Sequence, residues 1–172
     1  MKILETERTI LREIDETDAE FILDLLNQPS FIKYIGDKNV KTVEKAEEVI
    51  ENVYRKGYRD FGYGLYIVEL KTDKTPMGFC GFVRRKGLPA ADIGFAFLPQ
   101  FEKKGYAFET ASAVLRYGKE KLNFLRVFAI TTPKNESSIK LLKKLGFAFD
   151  KLVKIPGEEQ KLNLFSRTLF KL

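Results

Sequence analysis

Histidine is absent from the 172 residues, and cysteine occurs once, at Cys80. Those two facts remove the imidazole base, the His-based triad and the usual His/Cys zinc site. Proton or nucleophilic chemistry is left to carboxylates, tyrosines, lysines and one thiol. Two stretches carry the strongest signals. In residues 98–109 (LPQFEKKGYAFE) a proline breaks a strand, and a glycine-containing loop opens directly into a helix. A helix N-terminus leaves backbone N–H groups unpaired and carries partial positive charge, and Lys103 and Lys104 add two formal charges, so the segment predicts an anion site suited to phosphate. It is neither a GxxxxGK[ST] loop nor a three-glycine dinucleotide fingerprint, and an ordinary strand-to-helix turn is the structural alternative. In residues 135–147 (NESSIKLLKKLGF), Asn135 reads as a helix N-cap and Gly146 as its stop. Cys80 alternates with aromatic neighbours in a strand and is expected to be a core thiol.

The elements that must position these stretches follow from apolar spacing. Residues 7–13 have a strand-like centre, and Asp15, with Asp18 three residues on, opens a helix with Phe21, Ile22, Leu25 and Leu26 on one face, stopping near Pro29. A second helix is predicted from Thr42 to about Gly57. Strands are expected at 62–70, 76–84 and 90–98, a helix at 104–121, and a buried strand at 125–131. A helix at 135–145 and strands at 147–155 and 161–170 complete the chain. An antiparallel meander feeding β-α-β units implies one mixed sheet with helices on both faces. No repeat, linker or low-complexity stretch divides residues 1–172, which read as a single domain.

The composition, 44% hydrophobic and 31% charged, is that of a globular domain able to sustain its own core without disulfides or a structural metal. The net charge of +6 hides a gradient: residues 1–50 hold seven basic and twelve acidic side chains, 51–132 fourteen and eight, and 133–172 nine and four. The basic later blocks suit an anionic partner such as a phosphorylated cofactor. A nucleic-acid partner is not expected, since no RNP strand, zinc finger or basic heptad region is present. No apolar run approaches the roughly 18 residues needed to span a bilayer. With a lone cysteine and no apolar leader in residues 1–10, a cytoplasmic location is expected.

Taken in order, ADIGFAF, EKKGYAFETA, LRVFAIT and NESSIKLLKKLGF resemble the acetyl-CoA binding core of the GNAT N-acetyltransferases. The opening LETERTILREIDETDAEFILDLLN resembles the start of the RimJ/RimL-type branch. The resemblance implies an α/β fold with a central mixed, mostly antiparallel sheet of about seven strands. It implies direct acetyl transfer from acetyl-CoA to a primary amine, on a protein N-terminus or a small molecule, with no metal. A GNAT-fold acyl-CoA sensor without efficient catalysis is the alternative, and dimers are common among relatives.

Carried over position by position, the family's pyrophosphate loop falls on Glu102, Lys103, Lys104, Gly105, Tyr106 and Ala107; Gly105 and Ala107 match the pattern and Glu102 departs from it. The backbone of Phe97 and Leu98 is implied to pair with the pantetheine arm, and Asn135 and Ser138 to lie beside pantetheine and sulfur. The tyrosine that many relatives use as general acid is replaced by Leu142, so Ser138 or an ordered water is the expected substitute. Asp92 sits where histone acetyltransferases of the superfamily carry a strand glutamate base, with Glu109 as rival. Phe31, Tyr34 and Ile35 match the acceptor-pocket region, and Glu158 and Glu159 are placed to attract a cationic amine.

Overall fold

The computed structural model describes residues 1–170. Its strands are β1 (Lys2–Glu5), β2 (Thr9–Glu13), β3 (Leu65–Leu70), β4 (Pro76–Val83), β5 (Asp92–Phe97), β6 (Arg126–Thr131), β7 (Ala148–Val153) and β8 (Leu162–Thr168). They form one sheet in the order β1-β2-β3-β4-β5-β6-β8-β7. Every neighbouring pair is antiparallel except β5 and β6, which are parallel. The mixed, mostly antiparallel sheet is the expected one, with eight strands where about seven were predicted. The added strand is β1, whose short pairing with β2 is interrupted by a register shift between Lys2 and Leu4. An irregular edge strand with exposed ends shows no period-2 pattern to read.

Alternation along the inner strands feeds two cores. Tyr66 and Val68 point with Cys80 and Phe82 to one face, where Ala111, Val114 and Leu115 of α5 (Tyr106–Glu120) and Leu142 of α6 (Glu136–Lys144) cover them. Ile67 and Phe79 point to the other face. There Ile22 and Leu25 of α1 (Ala19–Leu26), Phe31 of α2 (Pro29–Tyr34) and Ala46 of α3 (Val43–Val49) close over them. Burying each such side chain stabilises the fold by roughly 1.5–3 kcal/mol before chain entropy is charged against it.

One helix is added and one helix end differs from expectation. α1 stops at Leu26, near Pro29 as expected, and Pro29 then starts α2, because a first-turn residue has no intrahelical N–H bond to lose and proline's fixed φ suits that position. The second helix does not stop at Gly57. It runs from α3 through a π-helical turn, Ile50–Arg55, into α4 (Lys56–Phe61), and ends at Gly62, whose φ of 77° is the left-handed conformation glycine accepts. Asp15 and Asp18 form the predicted reciprocal cap, around a 3-10 turn that precedes α1. None of the described helices is long and apolar enough to cross a membrane.

The placement of β5 depends on Gly78. A Cβ there would lie 2.1 Å from the Ala96 carbonyl oxygen and 2.8 Å from the Phe97 Cα, so β4 and β5 approach as closely as they do only because the side chain is missing. Gly78→Ala is expected to destabilise the protein by about 1–3 kcal/mol in urea unfolding, the usual cost of overpacking. An unchanged midpoint would show that β5 can shift freely.

Candidate functional site

The sheet opens between β5 and β6. Their only register pair is Asp92 with Phe128, supplemented by the Phe128 N–H donating to the Ala91 carbonyl at 3.0 Å. Beyond Asp92 the strands diverge, while β4 continues to hold the other edge of β5 as far as Phe97. Leu98 donates its N–H to Met77 at 2.8 Å, so the alternating ladder turns the backbone groups of 92, 94, 96 and 98 toward β4. The groups of Ile93, Phe95 and Phe97 therefore face β6; the Ile93 N–H completes the register pair with Phe128, and those of Phe95 and Phe97 border the gap. Of the two residues expected to offer backbone to a ligand, Phe97 has its N–H and carbonyl on that edge, whereas the N–H of Leu98 is already committed.

A cavity of about 390 Å³ occupies the opening. Its walls are mostly apolar and come from α2, the π-helical turn, β5, β6 and the start of α6. Phe31, Tyr34 and Ile35 line it, as do Asn135, Ser138 and Leu142. The Asn135 side chain accepts from the Ser138 N–H at 3.3 Å, so this residue caps α6 and borders the cavity at once. Leu142 is buried on the same wall, and its side chain has no proton to offer. Thr132, on the same wall, has a buried hydroxyl with no hydrogen-bond partner among the described residues.

Asp92 stands at the apex of the split and is 1% exposed. Arg85 holds it, with Nε 3.1 Å from both carboxylate oxygens. Burial raises the Asp92 pKa to about 6, and the attraction of Arg85 only partly offsets that rise. The carboxylate is thus poised near neutrality, ionised at pH 7 but willing to take a proton. Arg85 and Lys38 both line the cavity and were not singled out by sequence spacing. Arg85 sits in a basic run that reads as a solvated turn, and its pairing across seven residues depends on how the chain returns from β4 to β5.

At the far end of β5, Pro99 ends the strand and the chain turns through a 3-10 segment, Pro99–Phe101, into the loop. Lys103 and Gly105 take positive φ, 58° and 83°. The N–H groups of residues 103–108 have no hydrogen-bond partner among the described residues, the arrangement that receives an anion. Arg8 secures this loop. Its Nη1 donates to the Lys104 carbonyl at 3.0 Å, its guanidinium lies 4.1 Å from the Tyr106 ring centre, and its Nε donates to Glu109 at 2.7 Å. Glu109 also accepts from the Arg8 N–H and the Thr6 hydroxyl.

Burial would raise the Glu109 pKa, but these hydrogen bonds outweigh it and keep the carboxylate lowered. Glu109 lines a separate depression with Thr6 and Arg8, not the cavity. Its rivalry with Asp92, expected from its place on the first turn of α5, finds no support in this geometry. Glu158 borders the cavity while Glu159 does not. Cys80 is fully buried away from it, and burial pushes the thiol up to about 12, which leaves it unreactive.

Comparison with known proteins agrees with this architecture. Residues 8–148 match the family model described as an acetyltransferase (GNAT) domain. The chain is 32% identical over 146 residues to the uncharacterized N-acetyltransferase YoaA of Bacillus subtilis, covering 84% of this chain and 82% of that one. It is 25% identical to the spermidine N(1)-acetyltransferase of Escherichia coli K12, covering 81% and 73%. A solved structure of RimL, a ribosomal L7/L12 alpha-N-protein acetyltransferase in complex with coenzyme A, superposes with a TM-score of 0.83 at 15% identity, covering 98% of each chain. The chain belongs to the GNAT acetyltransferase family and is an acetyltransferase of that type. Members of this family draw the acetyl group from acetyl-CoA.

Arg8, the residue before β2, ties the sheet edge to the loop, so Arg8→Ala is expected to speed amide hydrogen exchange at Glu109, whose N–H bonds the Gly105 carbonyl, by about 10-fold, the scale of one lost hydrogen bond to a charged group. Exchange in β6 serves as the internal standard. Unchanged exchange at Glu109 would show that the loop holds its shape without Arg8.

Proposed function

We propose that the cleft between β5 and β6 binds acetyl-CoA and that the chain transfers its acetyl group directly to a primary amine, with residues 1–172 acting as one catalytic domain. The observation that carries this reading is the continuity of unpaired backbone: the edge of Phe95 and Phe97 leads straight to the free N–H groups of 103–108. Acetyl-CoA supplies an acyl group activated as a thioester. The open edge is suited to the pantetheine arm, with Phe97 contributing more than Leu98. The 102–107 loop is suited to the pyrophosphate, with Lys103 and Lys104 adding charge and Gly105, Tyr106 and Ala107 adding N–H donors. Glu102 is exposed and points no cation at that ligand, so backbone donors carry the contact. Asn135 and Ser138 border the same cavity, where the thioester end would lie.

An attacking amine must shed a proton, because an alkyl ammonium has no lone pair. Asp92 is the residue placed to accept it, directly or through water, from a buried position with its pKa near the working range. The departing sulfur must gain a proton; with Leu142 in place of a hydroxyl, the Ser138 side chain or solvent is the source. Tyr34 and Phe31 shape the acceptor end. Support for an amine acceptor comes from the relatives, one named for spermidine and another for a ribosomal protein N-terminus. A sensor reading draws on Leu142 and on the Arg85 bond that occupies Asp92.

Asp92→Asn separates these readings. As a base, Asp92 works in its ionised form, so wild-type kcat/KM falls as pH drops through about 6. The variant is expected to lose about 100-fold at pH 7, to lack that limb, and to recover partly at high pH as free amine accumulates. Near-wild-type turnover with the same pH limb would remove Asp92 from the role. The raised pKa also fixes a stability sign: Asp92's contribution to stability is fully present below its ordinary value near 3.8 and is lost as pH rises through about 6.

A further inference from the structure

The charged side chains that line the cavity are balanced in number. Lys38 and Arg85 supply two cations, Asp92 and Glu158 two carboxylates. Arg85 uses only Nε on Asp92; its two Nη groups hydrogen-bond nothing among the described residues. Lys38 and Glu158 have no ion-pair partner within 4.0 Å among the described residues. Lys38 is exposed as a residue, but its ammonium is crowded by its surroundings. That desolvation comes first in lowering its pKa, Arg85's positive charge adds to it, and Glu158 opposes both. Two cations repelling one another at a cavity mouth, each with free donors, call for an anion between them.

Resting on the acetyltransferase reading above, the geometry points to an acceptor that is a small zwitterionic amine with an apolar body, such as a free α-amino acid with a hydrophobic side chain. Its carboxylate would take the Nη edge of Arg85 and the Lys38 ammonium. Because the amine of an α-amino acid is two bonds from its carboxylate, that placement delivers the nitrogen beside Asp92, which the same arginine holds. Arg85 thus aligns base and substrate from two edges of one planar group. Tyr34, Val49, Val53 and Tyr54 offer an apolar wall to the side chain. A polyamine fits poorly, since it would bring two or more positive charges to a site whose net charge is already zero.

The test compares thiol release from acetyl-CoA with L-phenylalanine, L-phenylalaninamide, spermidine and a short peptide with N-terminal phenylalanine. Phenylalanine is expected to exceed the other three in kcat/KM by about 10-fold or more, the worth of one charged contact. Lys38→Glu, on an exposed turn, is expected to lower kcat/KM for phenylalanine by about 10-fold and raise it for spermidine. Turnover of the amide, the peptide or spermidine at least as efficient as that of phenylalanine overturns the zwitterion assignment and leaves the acetyltransferase reading standing. Thiol release with none of these amines, nor with a wider panel of primary amines, overturns both.

Discussion

One missing stretch of strand pairing organises this molecule. A parallel pair joined at a single register position would ordinarily leave unpaired N–H and carbonyl groups along two strand edges, a cost that folded proteins avoid. Each strand is paired along its outer side, β5 with β4 and β6 with β8, so the unpaired groups of both face the split. The free edge of β5 borders the cavity there. Everything else keeps that edge in place: Gly78 lets β4 grip it from behind, Pro99 ends it, and Arg8 fixes the loop that follows. The unsatisfied groups are then free to pair with a ligand from outside the chain, which is the role proposed for them.

At the closed end of the split, a single arginine governs the electrostatics. Asp92 is too buried to be an ordinary surface carboxylate, and too weakly compensated to be an ordinary ion pair. Burial raises its pKa and the one-nitrogen contact of Arg85 to both oxygens lowers it, so removing Arg85 would raise it further and a tighter clamp would lower it. Glu109 shows the opposite outcome from the same ingredients: three hydrogen bonds and partial exposure keep it ionised and structural.

Sequence reached much of this, and the reasons for its failures are physical. Asp92, Gly105, Asn135 and Leu142 are legible because strand, loop and helix N-terminus signals are local, and the order of four such segments resembles one family. β1 was invisible because an irregular edge strand has no alternation. Pro29 reads correctly as a stop for α1, but α2 goes unread because the same residue also opens a helix. Arg8 and Arg85 were missed because their partners, Glu109 and Asp92, are chosen by tertiary approach across 101 and seven residues. No spacing rule connects such pairs, and a basic side chain in a turn reads as solvated until the fold places a carboxylate against it.

The central claim is that the free β5 edge and the 103–108 loop form one continuous surface for coenzyme A. Residue-resolved amide NMR during titration with coenzyme A addresses it most directly. The amides of Phe95, Phe97 and residues 103–108 are expected to shift together and become protected from exchange, while those of Ala96 and Leu98, already bonded to β4, keep their protection. Saturable binding that leaves the 95, 97 and 103–108 amides unmoved would contradict it.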